Sequence, residues 1–139
     1  MLVVTPNEVE YQRVEDFLSK RFKLTCLGEV SNYLGIKIER AADGKFLLNQ
    51  SAYIRKIAAR YNLDKAKPSR VPVDPGYPNI EQKEEDVMPT NDHYQSMVGA
   101  LLYVVVCARP DIAIAATLLC RKVSRPTEAD WVEAKRAVR

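Results

Sequence analysis

The densest chemistry in this 139-residue chain is a block of cations. Between residues 51 and 70, Arg55, Lys56, Arg60, Lys65, Lys67 and Arg70 stand against one carboxylate, Asp64. A block of this kind is either a surface for a polyanion or an ordinary solvated helix face. Residues 79–93 reverse the balance, with Glu81, Glu84, Glu85, Asp86 and Asp92 against Lys83. That run lacks the alternating Asp/Asn/Gly order of a calcium loop. Nucleophile–base chemistry is poorly provided for. His93 is the sole histidine, and Cys107 lies fourteen residues further along one helical pattern, about 21 Å away. Cys26, Cys107 and Cys120 form no CxxC pair, which argues against zinc. They read instead as buried, reduced thiols of an intracellular protein, cytoplasmic or nuclear. Five glycines occur, none in the order of a phosphate loop. The residues favour binding over a self-contained active site.

Stepping along the chain, the apolar run Leu2-Val3-Val4 predicts a strand covered on both faces. Thr5-Pro6-Asn7-Glu8 then spells a helix start, with Thr5 as cap, Pro6 in the first turn and Glu8 reaching back. Val14, Phe17 and Leu18 give that helix one apolar stripe, ending near Phe22. Leu34, Ile36 and Ile38 alternate with Gly35, Lys37 and Glu39 at strand period, Ala41-Ala42-Asp43-Gly44 is a turn, and 45–49 returns as a second strand. From Ser51, expected as an N-cap, the period becomes helical: Ile54, Ile57, Ala58 and Tyr61 share one face, and Asn62 closes the helix. Five prolines between 67 and 91 exclude a regular helix there, and a loop this long is functional or packed against something absent from the chain.

Three helices are expected after the loop. Asp92 caps the first, with Met97, Val98, Leu101 and Leu102 inward. Pro110 opens the second, with Ile112, Ala116, Leu119 and Val123 inward. Thr127 with Asp130 opens the third, where Trp131, Ala134 and Val138 share a face, and Arg139 falls inside its pattern with no C-cap. The longest apolar run, 97–108, is well short of the ~20 residues of a bilayer span, so a soluble chain without membrane contact is expected.

Four stretches, LGEVSNYLGIKIER, DGKFLLNQSAYIRKI, YQSMVGALLYVVVCARPDIAIA and SRPTEADWVEAKRAVR, together resemble one family in content, order and spacing. It is the reverse transcriptase (RNA-directed DNA polymerase) of Ty1/copia-type LTR retrotransposon Pol polyproteins. The resemblance implies an α+β chain: a palm remnant at 1–50 with a primer-grip-like hairpin, then a mainly helical thumb and connection at 51–139 with the proline-rich loop at 67–91. In this family the segment matching Met1–Val4 follows a Tyr-Val-Asp-Asp tetrad whose aspartates, with a third, hold two magnesium ions. The catalytic residues, the rest of the palm and fingers, and the RNase H domain are therefore expected outside these 139 residues. The chain itself is expected to hold no cofactor and to be inactive alone.

Carried over by position, Tyr33, Leu34, Gly35, Ile36 and Lys37 resemble the primer grip, with Gly35 allowing close approach of a sugar-phosphate. Arg55, Lys56 and Arg60 become candidate phosphate contacts to an RNA/DNA template–primer duplex. Arg109-Pro110-Asp111 is taken as structural: a proline start, a carboxylate at the helix dipole, and an arginine paired with a carboxylate. The alternative function is a domesticated non-catalytic module binding nucleic acid or protein. Apolar surface on Leu2–Val4 and the hairpin predicts self-association.

Overall fold

The structure, a computed structural model, describes residues 1–80 and 83–139. Glu81 of the acidic run lies outside the described residues. The chain divides into two compact units, Met1–Leu47 and Leu48–Arg139. Its class is α+β, with five α-helices and one three-stranded antiparallel sheet among the described residues.

In the first unit, helix α1 spans Glu8–Ser19. Its cap is Asn7, whose side chain accepts from the Glu10 amide at 3.0 Å, so the expected Thr5 cap is displaced by two residues. An asparagine carbonyl reaches the free amides of the first turn directly, and this satisfies the helix end without Thr5. The expected strand at Leu2–Val4 does not form. A strand exists only through hydrogen bonds to a neighbour, and no described segment pairs with this one.

Strands β1 (Asn32–Tyr33), β2 (Ile36–Arg40) and β3 (Phe46–Asn49) lie in the order β1-β2-β3. The expected hairpin is β2–β3. Its turn places Gly44 at φ 84°, with the Gly44 amide on the Ala41 carbonyl at 2.9 Å. Asp43 is a turn residue: its carboxylate accepts from the Lys45 amide at 3.2 Å and pairs with the Lys45 ammonium at 2.6 Å. Leu34 and Gly35 depart from the expected alternation. They form a two-residue turn joining β1 to β2, at φ 49° and 79°, with Tyr33 opposite Ile36. Positive φ at both central residues is the mirror-image turn that matches strand twist, and it moves Leu34 out of the ladder.

The second unit holds the core. Helices α2 (Ser51–Arg60), α3 (Asp92–Cys107), α4 (Ala113–Cys120) and α5 (Glu128–Val138) surround buried Ile57, Tyr94, Met97, Val98, Leu101, Val104, Ile112, Ala116, Leu119 and Ala134. On α3 the buried positions 94, 97, 98, 101 and 104 follow the helical period. Leu102, expected inward, is 38% exposed, because it falls one residue past that stripe.

Helix boundaries differ from expectation by one to three residues. Gln50 precedes α2 as N-cap, and Asn49 accepts from the Ser51 amide at 2.7 Å, so Ser51 is the first helical residue. Asn91 rather than Asp92 precedes α3, without a side-chain cap bond. Pro110 opens a 3-10 turn, Pro110–Ile112, that leads into α4. Asn62 does close α2: at φ 57° it lets the Leu63 amide reach the Ala58 carbonyl at 2.8 Å.

Part of the proline-rich loop, around Asp74 and Tyr77, packs on α5. Its Tyr77 hydroxyl donates to Asp130 at 2.5 Å, and the Asp74 amide donates to Glu133 at 2.8 Å. The Met88 amide reaches the Pro126 carbonyl at 2.8 Å. Backbone donors of a loop whose prolines cannot donate thereby find acceptors on α5 and on Pro126 just before it. Asp130 also completes the expected capping box with Thr127. Cys26, expected buried, is exposed in the first unit, its sulfur 2.9 Å from the Tyr11 hydroxyl.

Candidate nucleic-acid interface

The α2 sequence sorts itself into two faces. Ile57 is buried and Tyr53, Ile54 and Tyr61 pack against the core, which turns Arg55, Lys56 and Arg60 outward. Arg55 donates back to the Ser51 carbonyl at 3.2 Å, and the Arg60 guanidinium sits 5.7 Å from the Tyr61 ring centroid. Neither contact neutralises charge. Among the described residues none of the three forms an ion pair, so their charges face solvent available to an anion.

The other candidates lie in the first unit. Tyr33 and Ile36 face each other across β1 and β2, and the exposed Leu34-Gly35 turn links them. Lys37 is paired with Glu39 at 2.6 Å, both side chains about half exposed. A solvated pair of this kind contributes little and leaves the ammonium open to exchange for a phosphate. The structure thus gathers Tyr33–Lys37 around one turn and Arg55, Lys56 and Arg60 on one helix face.

Arg109 holds Asp111 through two bonds, 2.8 and 2.7 Å, which keeps the Asp111 carboxyl below its ordinary range. The arginine of the Arg-Pro-Asp stretch is thus paired with a carboxylate, as expected. A cavity of about 310 Å³ lies nearby, floored by Ile54, Ile57, Leu101 and Val104. Two of the arginines lining it are already partnered, Arg109 by Asp111 and Arg136 by Glu133 and Asp74. Among the described residues no group of three or more His, Cys, Asp or Glu side chains is placed to hold a metal ion.

Tyr61 and Trp131 meet edge to face at 5.6 Å, with Lys135 above the indole at 5.4 Å. The sequence assigned each ring to the inner stripe of its own helix. Nothing in the spacing of residues 70 positions apart could have paired them.

Residues 1–75, which include both the turn and α2, match the family model described as reverse transcriptase (RNA-dependent DNA polymerase). The chain belongs to the reverse transcriptase family. Among curated relatives, the retrovirus-related Pol polyprotein from transposon TNT 1-94 of Nicotiana tabacum is 33% identical over 97% of this chain and 11% of its own length. A putative transposon Ty5-1 protein of Saccharomyces cerevisiae is 31% identical over 100% of this chain and 45% of its own. The Pol polyprotein from transposon RE1 of Arabidopsis thaliana is 33% identical over 89% of this chain and 8% of its own. The chain therefore spans less than half the length of each of these relatives. No solved structure matches it significantly. The retrotransposon Pol resemblance carried by the four sequence stretches is borne out. No helix among the described residues is long and apolar enough to cross a membrane.

Proposed function

We propose that these residues hold a template–primer duplex for an RNA-directed DNA polymerase, and that its metal-binding aspartates lie elsewhere in a Pol polyprotein. The observation that carries this reading is the exposed trio Arg55, Lys56 and Arg60 on α2, none of them in an ion pair among the described residues, inside the region matching the family model. Their role is phosphate contact, which positions a duplex without reading its sequence. The Leu34-Gly35 turn, with Tyr33, Ile36 and Lys37, is the primer-grip element, where a glycine without Cβ admits a sugar-phosphate. Two-metal nucleotidyl transfer needs carboxylates to fix both ions. The described residues do not fit that pair of magnesium ions, and no catalytic step is assigned to them.

Binding of a labelled template–primer across a salt series tests the reading. Three phosphate contacts give log K falling with log salt at a slope of about −2.7. The triple variant Arg55→Gln/Lys56→Gln/Arg60→Gln should flatten that slope. Salt-independent binding, or a variant with the parent slope, would refute the α2 assignment. Primer extension with magnesium and dNTPs is expected to show no incorporation above a protein-free control, and clear incorporation would overturn the inactive reading.

A second reading, a protein-binding module, has one observation in its favour. None of residues 1–49 is buried, and Phe17, Phe22 and Phe46 are 60%, 61% and 58% exposed. Apolar surface of this extent fits a protein partner or a second copy of the chain. Salt-insensitive self-association in sedimentation, abolished by Phe17→Ser/Phe22→Ser, would favour it, and a monodisperse monomer would remove it.

A further inference from the structure

Four side chains of the second unit stand in a row of alternating chemistry. The Arg60 guanidinium lies 5.7 Å from the Tyr61 ring, Tyr61 meets Trp131 at 5.6 Å and 76°, and the Lys135 ammonium lies 5.4 Å from the indole. Both rings are half-buried: each rests on the core with its remaining surface in solvent. Tyr61 is fixed further by its hydroxyl on the His93 carbonyl at 3.3 Å. Lys56 extends the row one helical turn before Arg60, on the same exposed side of α2.

We propose that this row is a stacking subsite for single-stranded nucleic acid, beside the phosphate-contacting face of α2. An anchored ring offers a base its π surface with little entropy lost on binding, and stacking accepts any base because every base has a π face. The two cations sit on long flexible stems, so each can leave its ring as a base arrives and move to the flanking phosphate. A paired duplex keeps its bases stacked on each other and gains nothing from the rings. The subsite therefore takes unpaired nucleotides, such as a template overhang, whereas the α2 cations take either form.

This inference rests on the nucleic-acid reading of α2, and the test separates the two. Trp131 is the sole tryptophan, so intrinsic fluorescence reports on this ring alone. The 139-residue chain is titrated with oligothymidylate, oligouridylate and a blunt duplex of equal length, while anisotropy of labelled strands measures binding. The single strands should quench Trp131 strongly and the duplex weakly. Trp131→Leu should weaken single-strand binding about tenfold and leave duplex binding unchanged, with Trp131→Phe restoring most of the loss. Single strands that bind without changing Trp131 fluorescence, or equal quenching by duplex, would overturn the subsite and leave the α2 reading standing. Absence of binding to any probe would remove both. Should Trp131→Leu fail to fold, the fluorescence of the parent chain decides.

Discussion

Replacing Asp130 with alanine takes one carboxylate from the point where the proline-rich loop meets α5. Asp130 is fully buried, and it accepts from the Tyr77 hydroxyl at 2.5 Å, the Thr127 amide at 2.7 Å and the Thr127 hydroxyl at 2.9 Å. Tyr77 is 5% exposed and Thr127 2%, so water does not readily replace the lost acceptor. A buried donor left without a partner costs about 1–3 kcal/mol, and hydrogen bonds to a charged group lie at the upper end. Relaxation recovers part of this, so the net loss is about 3–5 kcal/mol, from a total of about 5–15 kcal/mol for a domain. Tyr77→Phe strands no donor and leaves Asp130 both Thr127 bonds, so it should cost less, about 1.5–3 kcal/mol. Urea unfolding followed by far-ultraviolet circular dichroism and Trp131 fluorescence measures both. An Asp130→Ala variant within about 0.5 kcal/mol of the parent would refute the argument that this carboxylate ties loop to helix.

Two further outcomes follow from local geometry. Leu34 holds φ 49°, where a leucine is strained, so Leu34→Asn should stabilise the β1–β2 turn by about 1 kcal/mol, while Gly35→Ala at φ 79° should weaken it by a similar amount. Amide hydrogen exchange at Ile36–Ile38 reads both, and opposite signs would show that the turn is not held in this form. Burial raises the Tyr77 and Tyr94 phenols above the ordinary value of 10, with the Tyr77 bond to Asp130 adding to its rise. The folded state therefore keeps these protons where the unfolded chain releases them. Their contribution to stability is complete below about pH 10 and is lost as the pH climbs above it. Absorbance at 295 nm near pH 11 should show fewer than the seven tyrosines ionised until the fold is lost. Ionisation of all seven while circular dichroism remains native would contradict the burial.

Much of the fold and its family were written in short-range chemistry. The Asp43-Gly44 turn, the apolar stripes of α2 and α3, the Thr127–Asp130 capping box and the Arg109–Asp111 pair each involve residues a few positions apart. Local sterics and helical period settle such features before any tertiary contact forms. The cations of α2 were legible for the same reason, since an inward stripe of Ile54, Ile57 and Tyr61 dictates what faces out.

Only the tertiary structure decided the rest. Leu2-Val3-Val4 carries strand composition, yet composition supplies no hydrogen-bond partner, and the segment pairs with none among the described residues. The loop's destination depended on Tyr77 reaching Asp130 and Asp74 reaching Glu133, across 53 and 59 residues. The Tyr61–Trp131 pair exists because α2 and α5 pack together, which no spacing along the chain encodes. Burial, partner and proximity belong to the folded chain as a whole; period and turn chemistry belong to the sequence alone.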